Sequence, residues 1–226
     1  MRKSTPAQWV FRVLIYILGL FFMAIGVAIS VNANLGISPV NSLPYVISQI
    51  SGFALSSCVI GVFTVYILAQ IVLLRREFKW INLTQLIFST IFGYFVDFAK
   101  WLLADFSIPT YAGRLVMLAI SIVVVSIGVE LYLEVNLVPM PMEGMTLALA
   151  QVTKRPFPNV KIVVDCSVVL LGLALSLLLL HRLDGVREGT IIAAVVTGKL
   201  IALVKKPLSP LIQRVCFGAA LEEAAK

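Results

Sequence analysis

Charge is what this sequence has least of. Only 13% of its 226 residues are charged, against 60% hydrophobic, and no Asp, Glu, Lys or Arg occurs from Val13 to Leu74. A water-soluble domain of this length needs far more charged surface, so an ordinary soluble fold is excluded. Charge-free runs of this kind are membrane spans, each about 20 residues for a hydrocarbon core roughly 30 Å thick. Histidine is scarcer still, with His181 alone. Without a histidine pair, a nucleophile beside a base or a glycine-rich phosphate loop, nothing points to an enzyme, and no metal or cofactor is expected. Cys58, Cys166 and Cys216 lack metal or redox spacing and read as small buried apolar residues.

The charge that is present is mostly positive, +7 in total, and sits at span ends: Arg2, Lys3 and Arg12; Arg75, Arg76 and Lys79; Lys154 and Arg155; Lys205, Lys206 and Arg214. That distribution suits cytoplasmic loops facing anionic lipid rather than a nucleic-acid partner. The basic start and apolar run at the N-terminus resemble a signal peptide, with Val31-Asn32-Ala33 as a weak cleavage site. The run is too long for that role and reads as an uncleaved first span.

Two proline-broken stretches organise the rest, Asn34-Leu35-Gly36-Ile37-Ser38-Pro39-Val40-Asn41 and Asn136-Leu137-Val138-Pro139-Met140-Pro141-Met142-Glu143. Shifting the chain by 102 positions aligns Ile25, Gly26, Val27, Asn34, Leu35, Pro39 and Gln49 with Ile127, Gly128, Val129, Asn136, Leu137, Pro141 and Gln151, which marks an internal repeat. Each break follows a long apolar run and precedes a short helix, Pro39 to Ile50 and Pro141 to Gln151. Roughly 18 Å of helix at about 1.5 Å per residue does not cross a bilayer. Full spans are expected at Phe11–Val31, Ser56–Leu74, Leu83–Leu103, Tyr111–Val135, Val160–Leu180 and Glu188–Val204, with Trp80 and Trp101 as interface anchors. The fold class is therefore an all-α integral membrane protein of two three-span repeats, residues 1–104 and 105–206, each with a short broken or re-entrant helix, followed by a cytoplasmic tail, 207–226.

Topology follows from where the positive charge falls. Short helices that dip in and return leave three crossings per half, an odd number, so the halves are inverted. With the N-terminus inside, Arg75–Lys79, Lys154-Arg155 and Lys205-Lys206 then all face the cytoplasm. Short helices that crossed fully would instead put Arg75, Arg76 and Lys79 outside.

Non-helical backbone within a bilayer needs protein or a watery cavity around it. Two breaks meeting near the midplane would build such a cavity, and paired interrupted segments point to a transporter's binding site. Asn32, Asn34, Ser38, Asn41 and Ser42 supply neutral polar groups from the first break, and Asn136, Glu143 and Thr146 from the second. The same groups also serve as helix caps and turn formers. Ionisable residues inside spans are costly and point to function. Glu130, four positions before Glu134, Asp165, four after Lys161, and Lys199 join the candidate site, and Lys199 is expected to face the interior. Lys161 and Asp165 are spaced to pair on one helix face, and Asp97 and Lys100 to pair or snorkel near a span end. Glu130, Glu143 and Asp165 favour a cationic, zwitterionic or proton-coupled solute, since full charges outweigh helix-end half-charges.

The segment Asn34-Leu35-Gly36-x-x-Pro39 after the first span, in a membrane-only chain of this length, resembles the YczE/YyaS/YitT-type bacterial membrane proteins. The second copy departs from the motif, with Val138 in the place of Gly36. The resemblance implies a multi-pass protein of the bacterial cytoplasmic (inner) membrane and assigns no substrate. Together these features lead to the expectation of a small secondary transporter or facilitator for a polar or charged organic solute, its small-molecule or ion substrate bound between the broken helices. The competing expectations are a membrane-embedded solute-binding or accessory subunit of a larger transport complex, and a non-selective channel. Both termini are expected in the cytoplasm, and a chain this small suits a homodimer.

Overall fold

Glycine decides where the two central helices meet. The computed structural model describes residues 6–104, 106–181 and 185–217. Within them α1 (Pro6–Ala33) and α5 (Tyr111–Glu134) form the most extensive helix pair, running antiparallel. A Cβ on Gly128 would lie 2.6 Å from the Met23 nitrogen, and one on Gly26 2.9 Å from the Val125 nitrogen. Only hydrogen at these positions lets the backbones come this close, the usual basis of helix packing in lipid.

Around this pair stand α2 (Pro39–Ser51), α3 (Leu55–Leu74), α4 (Gln85–Leu103), α6 (Pro141–Thr153), α7 (Phe157–Leu175) and α8 (Glu188–Phe217). No strand occurs among the described residues. Five segments are long and apolar enough to span a membrane: Pro6–Ala33, Leu55–Glu77, Trp80–Leu103, Tyr111–Glu134 and Phe157–Leu180. The sixth expected span, Glu188 to Val204, is helical, but Lys199 and its flanking Glu188, Lys205 and Lys206 keep it out of that class. Trp80 and Trp101 are exposed near the ends of the α4 segment, as interface anchors require.

The two halves interlock. Helix α2 lies on α7, α6 on α3, α4 along α1, and α8 against α5 and α7. By contrast α4 barely touches α3 and buries only Gln85 and Ala99. It runs parallel to α1, with Tyr16 edge-on to Phe88, Phe21 edge-on to Phe95, and the Asn32 amide donating to the Ala104 carbonyl at 2.9 Å. One end of the bundle therefore gathers Arg12, Glu77, Val135, Gln151 and Lys205, and the other Asn32, Asn34, Ala104 and Arg187.

Beyond Lys205 the helix runs on into the expected tail. Helix α8 continues through Pro207 and Pro210 to Phe217. Each proline removes a backbone donor. The extension is held instead by Ile212 and Cys216, buried in the α1–α5 core, and by Ser209 and Gln213, which donate to Glu134 at 2.6 and 2.5 Å. Residues 218–226 of that tail, together with Arg2, Lys3, Arg182 and Asp184, lie outside the described residues.

Candidate functional site

Both breaks are stitched to helices they do not belong to. Asn34 and Asn136 each adopt the left-handed conformation, at φ 51° and 53°, which asparagine tolerates better than most residues. Each ends a long helix and turns the chain sharply. In the first break the Ile37 amide donates to the Gly185 carbonyl at 3.1 Å, Thr190 Oγ1 to the Ile37 carbonyl at 2.7 Å, and Arg187 Nη1 to the Asn34 carbonyl at 3.2 Å. Gly36, at φ 117°, sits so close that a Cβ would lie 2.5 Å from Thr190 Oγ1. In the second break Arg12 donates from Nε and Nη2 to the Val135 carbonyl at 3.0 and 2.9 Å, and Tyr16 Oη to the Val138 carbonyl at 2.7 Å. Gln70 Nε2 donates to the Pro141 carbonyl at 3.1 Å. Donors from distant segments thus satisfy carbonyls that the helices leave open.

Between the breaks lies a cavity of about 680 Å³, walled mainly by apolar side chains of α1 to α5 and α7. Its polar groups include Ser38, Asn41, Glu143, Lys161, Asp165 and, towards α4, Asp97. A smaller cavity of about 290 Å³ shares Ser30, Ser38 and Asn41 with it and reaches Asn34 and Arg187 at the bundle end.

Glu143, Lys161 and Asp165 form one buried ionic cluster, 4%, 4% and 1% exposed. Lys161 Nζ lies 2.6 Å from Asp165 Oδ1, one helical turn away on α7, and 3.4 Å from Glu143 Oε1 on α6. Proline at the first position of α6 sets the direction of that helix, and its third residue, Glu143, lands against α7. Two carboxylates and one ammonium leave the cluster one negative charge in excess. Breaking such a buried pair from one side strands a charge and costs about 3–5 kcal/mol.

Residues 10–206 match the model of DUF6198, described as a family of unknown function. The chain belongs to that family. It is 27% identical over 206 residues to the uncharacterized membrane protein YczE of Bacillus subtilis (strain 168), covering 89% of this chain and 86% of that protein. It is 21% identical over 141 residues to the uncharacterized protein YyaS of the same organism, covering 62% of this chain and 69% of that one. No solved structure matches the chain. The family match, the membrane-protein relative and the five apolar helices make it a multi-pass membrane protein.

Within this DUF6198 protein the residues singled out by sequence separate into three groups. Ser38, Asn41, Glu143 and Asp165 line the large cavity, and Asn34 joins them through the small one. Ser42 is fully buried and donates to the Pro39 carbonyl at 2.8 Å, a local turn. Thr146 is equally buried and donates to the Met142 carbonyl. Glu130, Asn136 and Lys199 line neither cavity. Glu130 is buried near the bundle end, 3.6 Å from Lys205 Nζ. Asn136 is exposed, its amide donating to the Glu134 carbonyl at 3.3 Å. Lys199 is exposed on α8 rather than turned inward, because Gly198 and Thr197 take the buried face beside it.

Sequence reasoning missed four polar residues near the cluster. Gln70 and Gln85 are fully buried and bonded to each other. Tyr66 and Tyr132 are buried, and their hydroxyls have no hydrogen-bond partner. The available signal was a polar end inside an apolar span, where every donor and acceptor needs a destination.

Proposed function

We propose that the protein is a small secondary transporter or facilitator that binds a polar or charged organic solute in the cavity between its two broken helices. The observation that carries this reading is the buried Glu143–Lys161–Asp165 cluster on the wall of a cavity of about 680 Å³. Largely apolar cavities with a few convergent polar groups are the usual form of small-solute sites. Intramembrane charge marks solute and ion pathways.

Support for an internal repeat comes from the bounds of the elements. Pro39–Ser51 and Pro141–Thr153 are 13 residues each, and α3 and α7 begin at Leu55 and Phe157, all at the same offset of 102. Support for a re-entrant α6 comes from its ends. The break starts beside Arg12, Val138 lies one turn deeper at Tyr16, and α6 finishes where the Gln151 amide donates to Glu77. That path leaves one end of the bundle and returns to it. The same end carries Arg12, Arg75, Arg76, Lys79, Lys154, Arg155 and Lys205, which favours an inverted arrangement in a bacterial cytoplasmic membrane with this end inside.

The test is solute uptake into liposomes containing the purified full-length protein, with candidates chosen by ligand-induced thermal shifts across metabolite pools. Saturable flux lost in Glu143→Gln supports transport. Saturable binding without flux would favour an accessory subunit, and neither binding nor flux would overturn both.

A further inference from the structure

Behind the ionic cluster two polar groups lack a partner. Tyr132, on α5, is 1% exposed and Tyr66, on α3, 5%. Neither hydroxyl makes a hydrogen bond. Tyr66 interacts electrostatically with Lys161, Asp165 and Glu143, and the Tyr132 hydroxyl lies near the Glu143 carboxylate and the Met140 carbonyl without closing a well-formed hydrogen bond to either. Buried polar groups are ordinarily satisfied, so two unsatisfied hydroxyls flanking this ionic cluster, Tyr132 on its Glu143 side, point to an occupant that completes them.

The charge says what kind of occupant. Asp165 and Lys161 sit at contact distance, 2.6 Å, and neutralise each other, while Glu143 stands off at 3.4 Å. The uncompensated negative charge therefore rests mainly on Glu143. The N-terminus of α6 offsets about half a charge at most. A lone water would satisfy the hydroxyls but leave the charge. A multivalent metal needs more anionic ligands, and no group of three or more His, Cys, Asp or Glu is gathered for one among the described residues.

We propose that Glu143, backed by the hydroxyls of Tyr66 and Tyr132, forms a site for one small monovalent cation, either a free alkali ion or the primary ammonium head of a larger solute. Glu143 supplies the countercharge, and the two phenol oxygens supply neutral lone pairs. An ammonium group has three donors for these three acceptors, and an alkali ion takes the same oxygens as ligands. Lys161 is itself an ammonium parked against Asp165, so the wall already demonstrates the chemistry it selects. The apolar remainder of the cavity leaves room for the body of an organic amine. The site stands on this geometry and does not require that the protein transport anything.

The experiment uses the purified full-length protein in lipid nanodiscs, with each salt series repeated at several fixed pH values. NaCl, KCl and methylammonium chloride are titrated separately, with ionic strength held by choline chloride, a quaternary cation with no N–H to donate. Occupancy stabilises the fold by RT ln(1 + [L]/Kd), so the thermal midpoint should rise saturably with at least one of the three. Response to sodium or potassium identifies a free ion, and response to methylammonium alone identifies a solute head group. Glu143→Gln should abolish the rise. Tyr66→Phe and Tyr132→Phe keep packing and charge intact and should each weaken affinity about fivefold to tenfold, the loss of roughly one hydrogen-bonding ligand. These two variants also serve if Glu143→Gln fails to fold. No saturable rise with any salt, or a rise unchanged in both phenylalanine variants, overturns the proposal. So does stability that follows pH alone, which would mean that a proton neutralises Glu143. Flux that persists without any cation response overturns this site and leaves the transport reading standing.

Discussion

Gln70 and Gln85 exchange two amide hydrogen bonds, 3.0 Å from Gln70 Nε2 to Gln85 Oε1 and 2.9 Å in return, with both side chains fully buried. Gln70 Nε2 also donates to the Pro141 carbonyl, so α3, the start of α4 and the start of α6 are joined at one point. Gly144 makes room for the pair, since a Cβ there would lie 2.7 Å from Gln70 Oε1. Helix α4 is held along α1 but barely touches α3, so this clasp fixes its start against α3 and α6. Replacing one glutamine by leucine strands the other amide in an apolar setting, at about 1–3 kcal/mol for each unsatisfied group. Gln70→Leu should cost more than Gln85→Leu, because it also strips the Pro141 carbonyl. The double variant should cost less than the sum of the two. Thermal unfolding of the three variants in detergent checks this, and additive losses would show that the pair does not act as a unit.

The clasp also shows where the sequence stops being legible. Proline and asparagine mark both breaks, and the lengths of the apolar runs mark the spans, because those signals are local. Lys161 and Asp165 are legible as a pair from their spacing on one helix. Whether Glu130 or Glu143 reaches the cavity depends on the rotation of α5 and α6 against their neighbours, and no local pattern encodes that. Glu130 turns instead towards Lys205, 75 positions away. Helix α8 outruns its expected end for the same reason, since its prolines are overridden by contacts with Glu134 that only the fold brings together.

Glycine at the α1–α5 crossing gives the second expected outcome. A methyl group on Gly128 would meet the Met23 nitrogen at 2.6 Å and the Gly19 carbonyl oxygen at 2.7 Å, both backbone atoms with little freedom to move. Gly128→Ala should therefore destabilise the protein by about 1–3 kcal/mol or more, the range of overpacked cores. Gly61, on exposed α3 surface, has nothing within 4 Å of the same position. Gly61→Ala should be neutral or stabilising by up to about 1 kcal/mol through helix propensity. Equal thermal midpoints for the two variants would mean that α1 and α5 do not approach this closely.

Topology is checked by cysteine labelling in intact cells. With the Arg75–Lys79 and Lys154–Arg155 clusters both at the Arg12 end of the bundle, cysteines at Glu77 and Lys154 should be shielded from an impermeant reagent added outside. A cysteine at Ser107, beyond α4 at the opposite end, should react. Labelling at Glu77 from outside would mean that the short helices cross fully and the halves run parallel.

The last expected outcome separates two carboxylates one helical turn apart. Glu134 is the hub that ties α5 to the end of α8, accepting from Lys205 Nζ at 3.1 Å as well as from Ser209 and Gln213. Glu130 makes a 3.6 Å ion contact with Lys205, and its buried Oε1 accepts no hydrogen bond. Lys205 is 52% exposed, so solvent screens both pairs and each ion contact alone contributes little, about 0–1 kcal/mol. Hydrogen bonds therefore decide the difference. Glu134→Ala should release residues 205–216, seen as faster amide exchange there, and cost about 1–3 kcal/mol. Glu130→Gln keeps shape and leaves that segment protected. If Glu130 loads a proton or cation during transport, the same variant should lower coupled flux in proteoliposomes while exchange stays unchanged. Unchanged flux in Glu130→Gln would confine that residue to a structural role, and unchanged exchange in Glu134→Ala would remove Glu134 as the anchor of α8.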